Sequence, residues 1–210
     1  MSDARSAILA RIAAALVDDP AAVVIPREYE RRLPPDIDPV RLFAERVADY
    51  RATVHHAAAA ELPRVIASVL ALRGVSRLVV PSGLPVDWLA ATADLQLVGD
   101  EPPLSVTDLD AVDGVITDCA IAIAETGTIV LDAGPGQGRR ALSLLPDRHL
   151  CIVDAERVVG TVPEALDRLD PRRPLTWISG PSATSDIELQ RVEGVHGPRV
   201  LDVVIVGGTA

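Results

Sequence analysis

Residues 114–153, GVITDCAIAIAETGTIVLDAGPGQGRRALSLLPDRHLCIV, decide the fold class. They hold four short apolar runs, Gly114–Thr117, Ile121–Ala124, Thr128–Leu131 and Leu150–Val153, and one helical stretch, Arg139–Leu145. Runs this short, apolar at successive rather than alternate positions, read as strands covered on both faces. Only residues 125–127 separate the second run from the third, too few for a parallel crossover, so these two form a hairpin or a bent strand.

The same alternation continues outward. Upstream lie a helix over Leu62–Leu72, a strand over Arg77–Val80, the turn PSGLP (81–85), a short helix near Trp88 and a strand over Leu95–Val98. Downstream, a helix over Glu164–Leu169 precedes a strand over Leu175–Ile178. A helix over Asp186–Val192 then precedes a last strand, Val200–Val206. Strands alternating with helices predict an α/β protein with a mostly parallel sheet flanked by helices. The first 52 residues differ. Residues 3–18 place Ile8, Leu9, Ile12 and Leu16 on one helical face, and Pro26 and LPPDIDP (33–39) form a linker. Asp38 caps a second helix with Pro39 at its first position, running to Arg51 and burying Val40, Phe43, Val47 and Tyr50. The expected division is therefore a helical extension (1–52) packed on an α/β domain (53–210). No internal repeat or low-complexity tract is visible.

Composition narrows the chemistry. Apolar residues make up 49 % of 210 and aromatic residues only 2 %, so the core is built from Ala, Val, Leu and Ile. The net charge of −10 argues against nucleic-acid binding. All 20 basic residues are arginine, which excludes a lysine Schiff base and a P-loop lysine. Cys119 and Cys151 lie alone in apolar surroundings and read as buried thiols, not as a cluster or disulfide motif. Without an HxxxH or Cys/His cluster no metal site is expected. The N-terminus has charges throughout, and no apolar run reaches membrane-spanning length, so a soluble cytoplasmic protein is expected.

In open α/β sheets, ligands bind at the carboxyl ends of strands, so the loops between these elements hold the candidate residues. Glu125, in AETGT (124–128), is a nucleophile or general base if desolvated, and a plain solvated turn residue if not. Thr126, Gly127 and Thr128 complete that turn. In GPGQGRR (134–140), Gly136 and Gly138 allow close approach of backbone to an anion, and Arg139 and Arg140 would attract one. The spacing GxGxG is not the dinucleotide fingerprint, and a mobile loop with solvated arginines reads equally well. In SGPSATSDIE (179–188), Ser179, Gly180, Ser182 and Thr184 can turn hydroxyls and amides to a ligand. Ser185 with Glu188 three residues on forms a capping box. His149 and His196 suit acid–base work near neutral pH or structural hydrogen bonding. His55 and His56, being adjacent, point to opposite faces of a strand and make a poor metal site.

Taken in order, AIAETGT (122–128), SLLPDRH (143–149), ISGPSATSDIE (178–188) and GVHGP (194–198) resemble the LutC/YkgG family, the lactate-utilisation LUD domain, across residues 75–208. The resemblance implies a NagB/RpiA/CoA-transferase-like fold. It implies a non-redox part in oxidising L-lactate to pyruvate, beside LutA-like and LutB-like subunits that carry the iron–sulfur clusters, with no cofactor in this chain. It also implies a small carboxylate or phosphate bound at strand ends, with Glu125 and His196 as the catalytic candidates. The alternatives are a stand-alone CoA-transferase- or isomerase-like enzyme using Glu125, or a ligand sensor without catalysis. One position departs from the family pattern: Ala183 stands where SGPSRT carries arginine. If that arginine holds a carboxylate, Arg139 or Arg140 would have to replace it.

Overall fold

The structure, a computed structural model, describes residues 2–16, 24–184, 192–194 and 196–207. The chain order is α1 (Ser2–Ala15), α2 (Pro39–Asp49), β1 (Thr53–Ala57), α3 (Leu62–Leu72), β2 (Arg77–Val79), β3 (Gln96–Val98), α4 (Val106–Asp110), β4 (Gly114–Thr117), β5 (Ile121–Ile123) and β6 (Thr128–Leu131). It continues with α5 (Arg140–Leu144), β7 (Arg148–Asp154), β8 (Val158–Val159), α6 (Val162–Arg168), β9 (Thr176–Ile178), β10 (Ala183–Thr184), β11 (Val192–Glu193) and β12 (Val200–Val206).

The apolar runs sort into two sheets rather than one. Six strands form a wholly parallel sheet in the order β1-β12-β7-β4-β2-β3. A second, four-stranded sheet runs β8-β5-β6-β9. In it β5 and β6 form the hairpin that their short separation requires, and β9 joins antiparallel to β6. The two sheets enclose a core of Ala122, Ile129 and Leu131 against Cys151, Val153, Val203 and Ile205. The other face of the parallel sheet is covered by α3 through Ile66, Val69 and Leu70, and the outer face of the small sheet by α6 through Ala165.

The N-terminal region divides sharply. Asp38 caps α2 as expected, accepting from the Val40 amide at 2.9 Å, with Pro39 at the first position. Phe43 and Val47 lie fully buried in the core between the sheets, so α2 is part of the α/β body, although Tyr50 is exposed rather than buried. Burial of a Phe side chain of this kind stabilises by roughly 2–3 kcal/mol. By contrast α1 is not packed as expected. Ile8, Leu9, Ile12 and Leu16 are all exposed. Arg5 shares that face one turn before Ile8, and the apolar stripe that follows it stays exposed.

Strand β1, helix α4 and the two-residue strands β8, β10 and β11 are not legible from periodicity. Strand β1 (TVHHA) pairs along its whole length with β12. Its His55 Nε2 lies 2.9 Å from the buried Asp202 carboxylate, which also holds Arg73 through Nε at 2.8 Å and Nη2 at 2.9 Å. Helix α4 carries a Ser105/Asp108 capping box. The helix expected over Asp186–Val192, with its Ser185/Glu188 capping box, lies outside the described residues, except that Val192 belongs to β11. Among the described residues no helix is long and apolar enough to cross a membrane.

Candidate functional site

A cavity of about 240 Å³ lies between the two sheets at the amino ends of β7 and β12 and the carboxyl end of β9. Ser143, Leu144 and His149 line it from one stretch of chain. Thr176–Ser182 line it from a second, and His196, Gly197 and Pro198, with Leu201 in β12, from a third. The expectation that ligand loops gather at carboxyl ends holds for β9 alone. Against the parallel sheet the cavity sits at the opposite end.

The local chain explains how these loops meet. Gly180 has φ +79, and a Cβ there would lie 2.6 Å from the Tyr50 Cβ, so the turn after β9 closes onto the end of α2 only with glycine. The Ser182 amide donates to the Pro198 carbonyl at 2.8 Å, and the His196 amide donates to Ser182 Oγ at 3.0 Å. These bonds tie the second stretch to the third. A row of hydroxyls joins the AETGT turn to the same wall: Thr126 Oγ1 is 2.7 Å from Thr128 Oγ1, which is 2.8 Å from Ser179 Oγ.

His149 and Ser143 are the buried polar residues among those described in this wall. His149 is only 2 % exposed, and Nε2 lies 2.7 Å from Thr117 Oγ1. Burial lowers its pKa from 6.5 to about 4, so it is neutral at physiological pH. His196, in contrast, is exposed, with its backbone rather than its ring in a described bond. Among the described residues, the cavity lining includes no carboxylate. At its margin Arg140 donates to Thr176 Oγ1 at 3.1 Å and to the Leu175 carbonyl at 2.6 Å.

The remaining candidates lie apart. Glu125 is exposed in the β5–β6 turn, with its amide bonded to the Gly160 carbonyl at 3.0 Å. It does not line this cavity. Gly127 has φ +58, and a Cβ there would lie 2.8 Å from the Arg46 carbonyl carbon, so this glycine seats the hairpin on α2. The GPGQGRR loop lies at the carboxyl ends of β2 and β4. There the Gly136 amide donates to the Ser82 carbonyl at 2.9 Å and the Asp118 amide to the Gly136 carbonyl at 2.8 Å. Gly138, at φ +68, packs against Leu142 and Pro81. Arg139 grips Asp100 with two bonds, 2.7 and 2.9 Å, and the Leu104 carbonyl with a third at 2.7 Å. This pairing holds the Asp100 carboxyl below its usual pKa. The crevice that Gly138 and Arg139 line also contains Asp100 and Glu101, which does not favour an anion. Thr184 lies in β10, and only its backbone is described.

Residues that motif reading did not single out include Asp118 and Asp132, which pair with Arg157 (2.8 Å) and Arg173 (2.9 Å) in a second crevice. Burial raises the Asp118 pKa despite that arginine. Thr117, behind His149, was also not singled out, and Cys151 was read only as a buried thiol. An apolar strand with one hydroxyl and one thiol carries no local signal of a relay.

A match to the LUD domain spans residues 40–206. The chain belongs to the LUD-domain family. It is 53 % identical over 169 residues to lactate utilization protein C of Deinococcus radiodurans, covering 79 % of this chain and 78 % of that one. It is 34 % identical over 109 residues to lactate utilization protein C of Shouchella clausii, where the match spans 49 % of this chain and 47 % of the relative. Among solved structures, the crystal structure of a DUF162 family protein from Deinococcus radiodurans superimposes with a TM-score of 0.69 at 44 % identity, covering 80 % of this chain and 96 % of that one. In this LUD domain, three of the four stretches that carry the family resemblance line one cavity, and the fourth is hydrogen-bonded to its wall.

Proposed function

We propose that this LUD-domain protein is a non-redox component of a system oxidising L-lactate to pyruvate, and that it holds a small carboxylate in the cavity between its sheets. The observation that carries the ligand site is the convergence of all four family stretches on that cavity. Its volume of about 240 Å³ lies just under the usual range of roughly 300–1,000 Å³ for drug-sized ligands and so suits a small metabolite. The Arg140 guanidinium at the margin supplies positive charge for a carboxylate, and the serine and threonine hydroxyls supply hydrogen bonds. The role in lactate oxidation comes from the relatives named lactate utilization protein C.

Electron transfer would fall to partner chains. Cys119 and Cys151 are both fully buried, and two cysteines do not complete a four-thiolate cluster set. The neighbouring Cys151 thiol and then burial push the Cys119 pKa well up, so Cys119 stays protonated in the core. LutA-like and LutB-like iron–sulfur subunits are the expected partners.

The test is anaerobic capture of the tagged protein from lactate-grown cells, with lactate oxidation measured in extracts with and without it. Recovery of cysteine-rich, iron-containing polypeptides, with oxidation falling in the deletion strain, is the expected result. Recovery of the protein alone, with oxidation unchanged, overturns the proposal.

A further inference from the structure

We infer that His149 is the hydrogen-bond acceptor of the cavity, with its Nδ1 lone pair turned to the ligand, and that the site thereby selects a small molecule presenting a hydroxyl or N–H donor. The inference rests on the reading of this cavity as the ligand site.

The argument follows protons along β4 and β7. The Thr117 hydroxyl donates to Cys151 Sγ at 3.8 Å, and the Cys151 thiol donates onward to the Ile152 carbonyl at 3.9 Å. A hydroxyl has one proton. Thr117 Oγ1 also lies 2.7 Å from His149 Nε2, a contact that either tautomer can make; we take the arrangement in which the hydroxyl proton goes to sulfur and Nε2–H donates to Oγ1. Burial keeps the ring neutral, and the lone pair then falls on Nδ1. Nδ1 has no hydrogen-bond partner among the described residues. His149 and its register partner Leu201 both line the cavity, so the open side of the ring faces the space a ligand would fill.

A buried acceptor of this kind discriminates strongly. A ligand that offers a proton satisfies it, whereas an analogue without one leaves the nitrogen desolvated and unpaired. A 2-hydroxy acid fits, while the 2-oxo acid and the unsubstituted acid do not.

Two measurements test this. In ¹⁵N-histidine NMR of the whole protein, the Nε2–H tautomer of His149 is expected. Thr117→Val, which removes the acceptor, should shift the ring toward the Nδ1–H form. An Nδ1–H tautomer in the unmodified protein overturns the inference whatever the ligand proves to be. In titrations followed by Trp177 fluorescence, L-lactate should bind at least about ten-fold more tightly than propionate or pyruvate. His149→Gln reaches Thr117 from the Nε2 position but lacks an atom at Nδ1, and should reduce that preference to about two-fold or less. His149→Asn, which places its amide at the Nδ1 position, should retain part of it. Binding of L-lactate without preference, or undiminished in His149→Gln, overturns the inference and leaves the cavity as the ligand site. If none of the three acids binds while the tautomer is Nε2–H, it is the carboxylate reading that fails, and the acceptor assignment stands.

Discussion

The cavity behind β9 and the GPGQGRR loop make opposite use of similar residues. The loop looks like an anion site: glycines, then two arginines, at a helix start. Yet, apart from Arg140, which reaches the cavity margin, its groups are consumed by the fold. Gly136 and Gly138 let the backbone turn at positive φ and press against the PSGLP segment, Arg139 is saturated by Asp100 and the Leu104 carbonyl, and the loop's crevice is acidic. The cavity is lined by serines, glycines and prolines beside Leu144, Trp177, Ile178 and Leu201, and by two histidines. On the inference above it keeps polar capacity in reserve, because His149 uses one ring nitrogen for the fold and the other has no partner among the described residues. What distinguishes a binding region from a packing region here is unspent hydrogen-bonding capacity, and residue type alone does not reveal it.

The largest effect should come where a glycine of the AETGT turn proves to be a packing residue. Gly127→Val forces a β-branched side chain into positive φ and brings its Cβ to 2.8 Å from the α2 backbone. Strain and overpacking together should cost at least about 3 kcal/mol, measured by urea or thermal denaturation. An unchanged midpoint would mean that α2 is not seated on the hairpin.

His149 offers the next test, because a reserved acceptor must be kept neutral. Its folded pKa of about 4 lies below the unfolded value of 6.5. The unfolded chain therefore binds more protons between those values, and stability is complete above about pH 6.5 and falls as pH drops toward 4. The full loss is on the order of 3 kcal/mol. Denaturation midpoints at pH 7.5 and 4.5, compared between the unmodified protein and His149→Gln, isolate this histidine from the carboxylates. An identical pH dependence in both would show that the ring is not buried neutral.

Much of the fold was legible in the sequence for a physical reason: its strands are short apolar runs buried on both faces, and Asp38–Pro39 announces a helix start. The division into two sheets was not, because β4, β5 and β6 are buried at every position and nothing local says which neighbour each will pair with. Strand β1 was hidden by its two histidines, of which His55 bonds the Asp202 carboxylate contributed from β12 and His56 is exposed. At the site, Ser179, Gly180, Ser182 and His196 were legible as neighbours because they share the loops that family resemblance marks. The roles of Arg139 and His149 were not. They depend on Asp100, 39 residues from Arg139, and on Thr117, 32 residues from His149.

Arg139→Ala sharpens the contrast from the packing side. It leaves the Asp100 carboxylate without its guanidinium in a mostly buried setting, and should cost roughly 1–2 kcal/mol of stability after allowing for the partial exposure of the arginine. Ligand binding in the cavity, read by Trp177 fluorescence with L-lactate, should be unchanged. A loss of binding with stability intact would reverse the assignment of the two regions.

Ser182→Ala is the complementary and smallest perturbation. Its hydroxyl accepts one bond, from the His196 amide, at an exposed position where water can take over, so the stability loss should be about 0.5–1 kcal/mol. The same bond fixes the third wall of the cavity against the second, so L-lactate affinity should fall by several-fold even though the fold barely changes. The pair of variants then reads in opposite directions: Arg139→Ala costs stability and spares binding, and Ser182→Ala spares stability and costs binding. If both variants moved the two quantities in parallel, the cavity would be no more specialised for a ligand than the loop, and the distinction between reserved and consumed hydrogen bonds would fail.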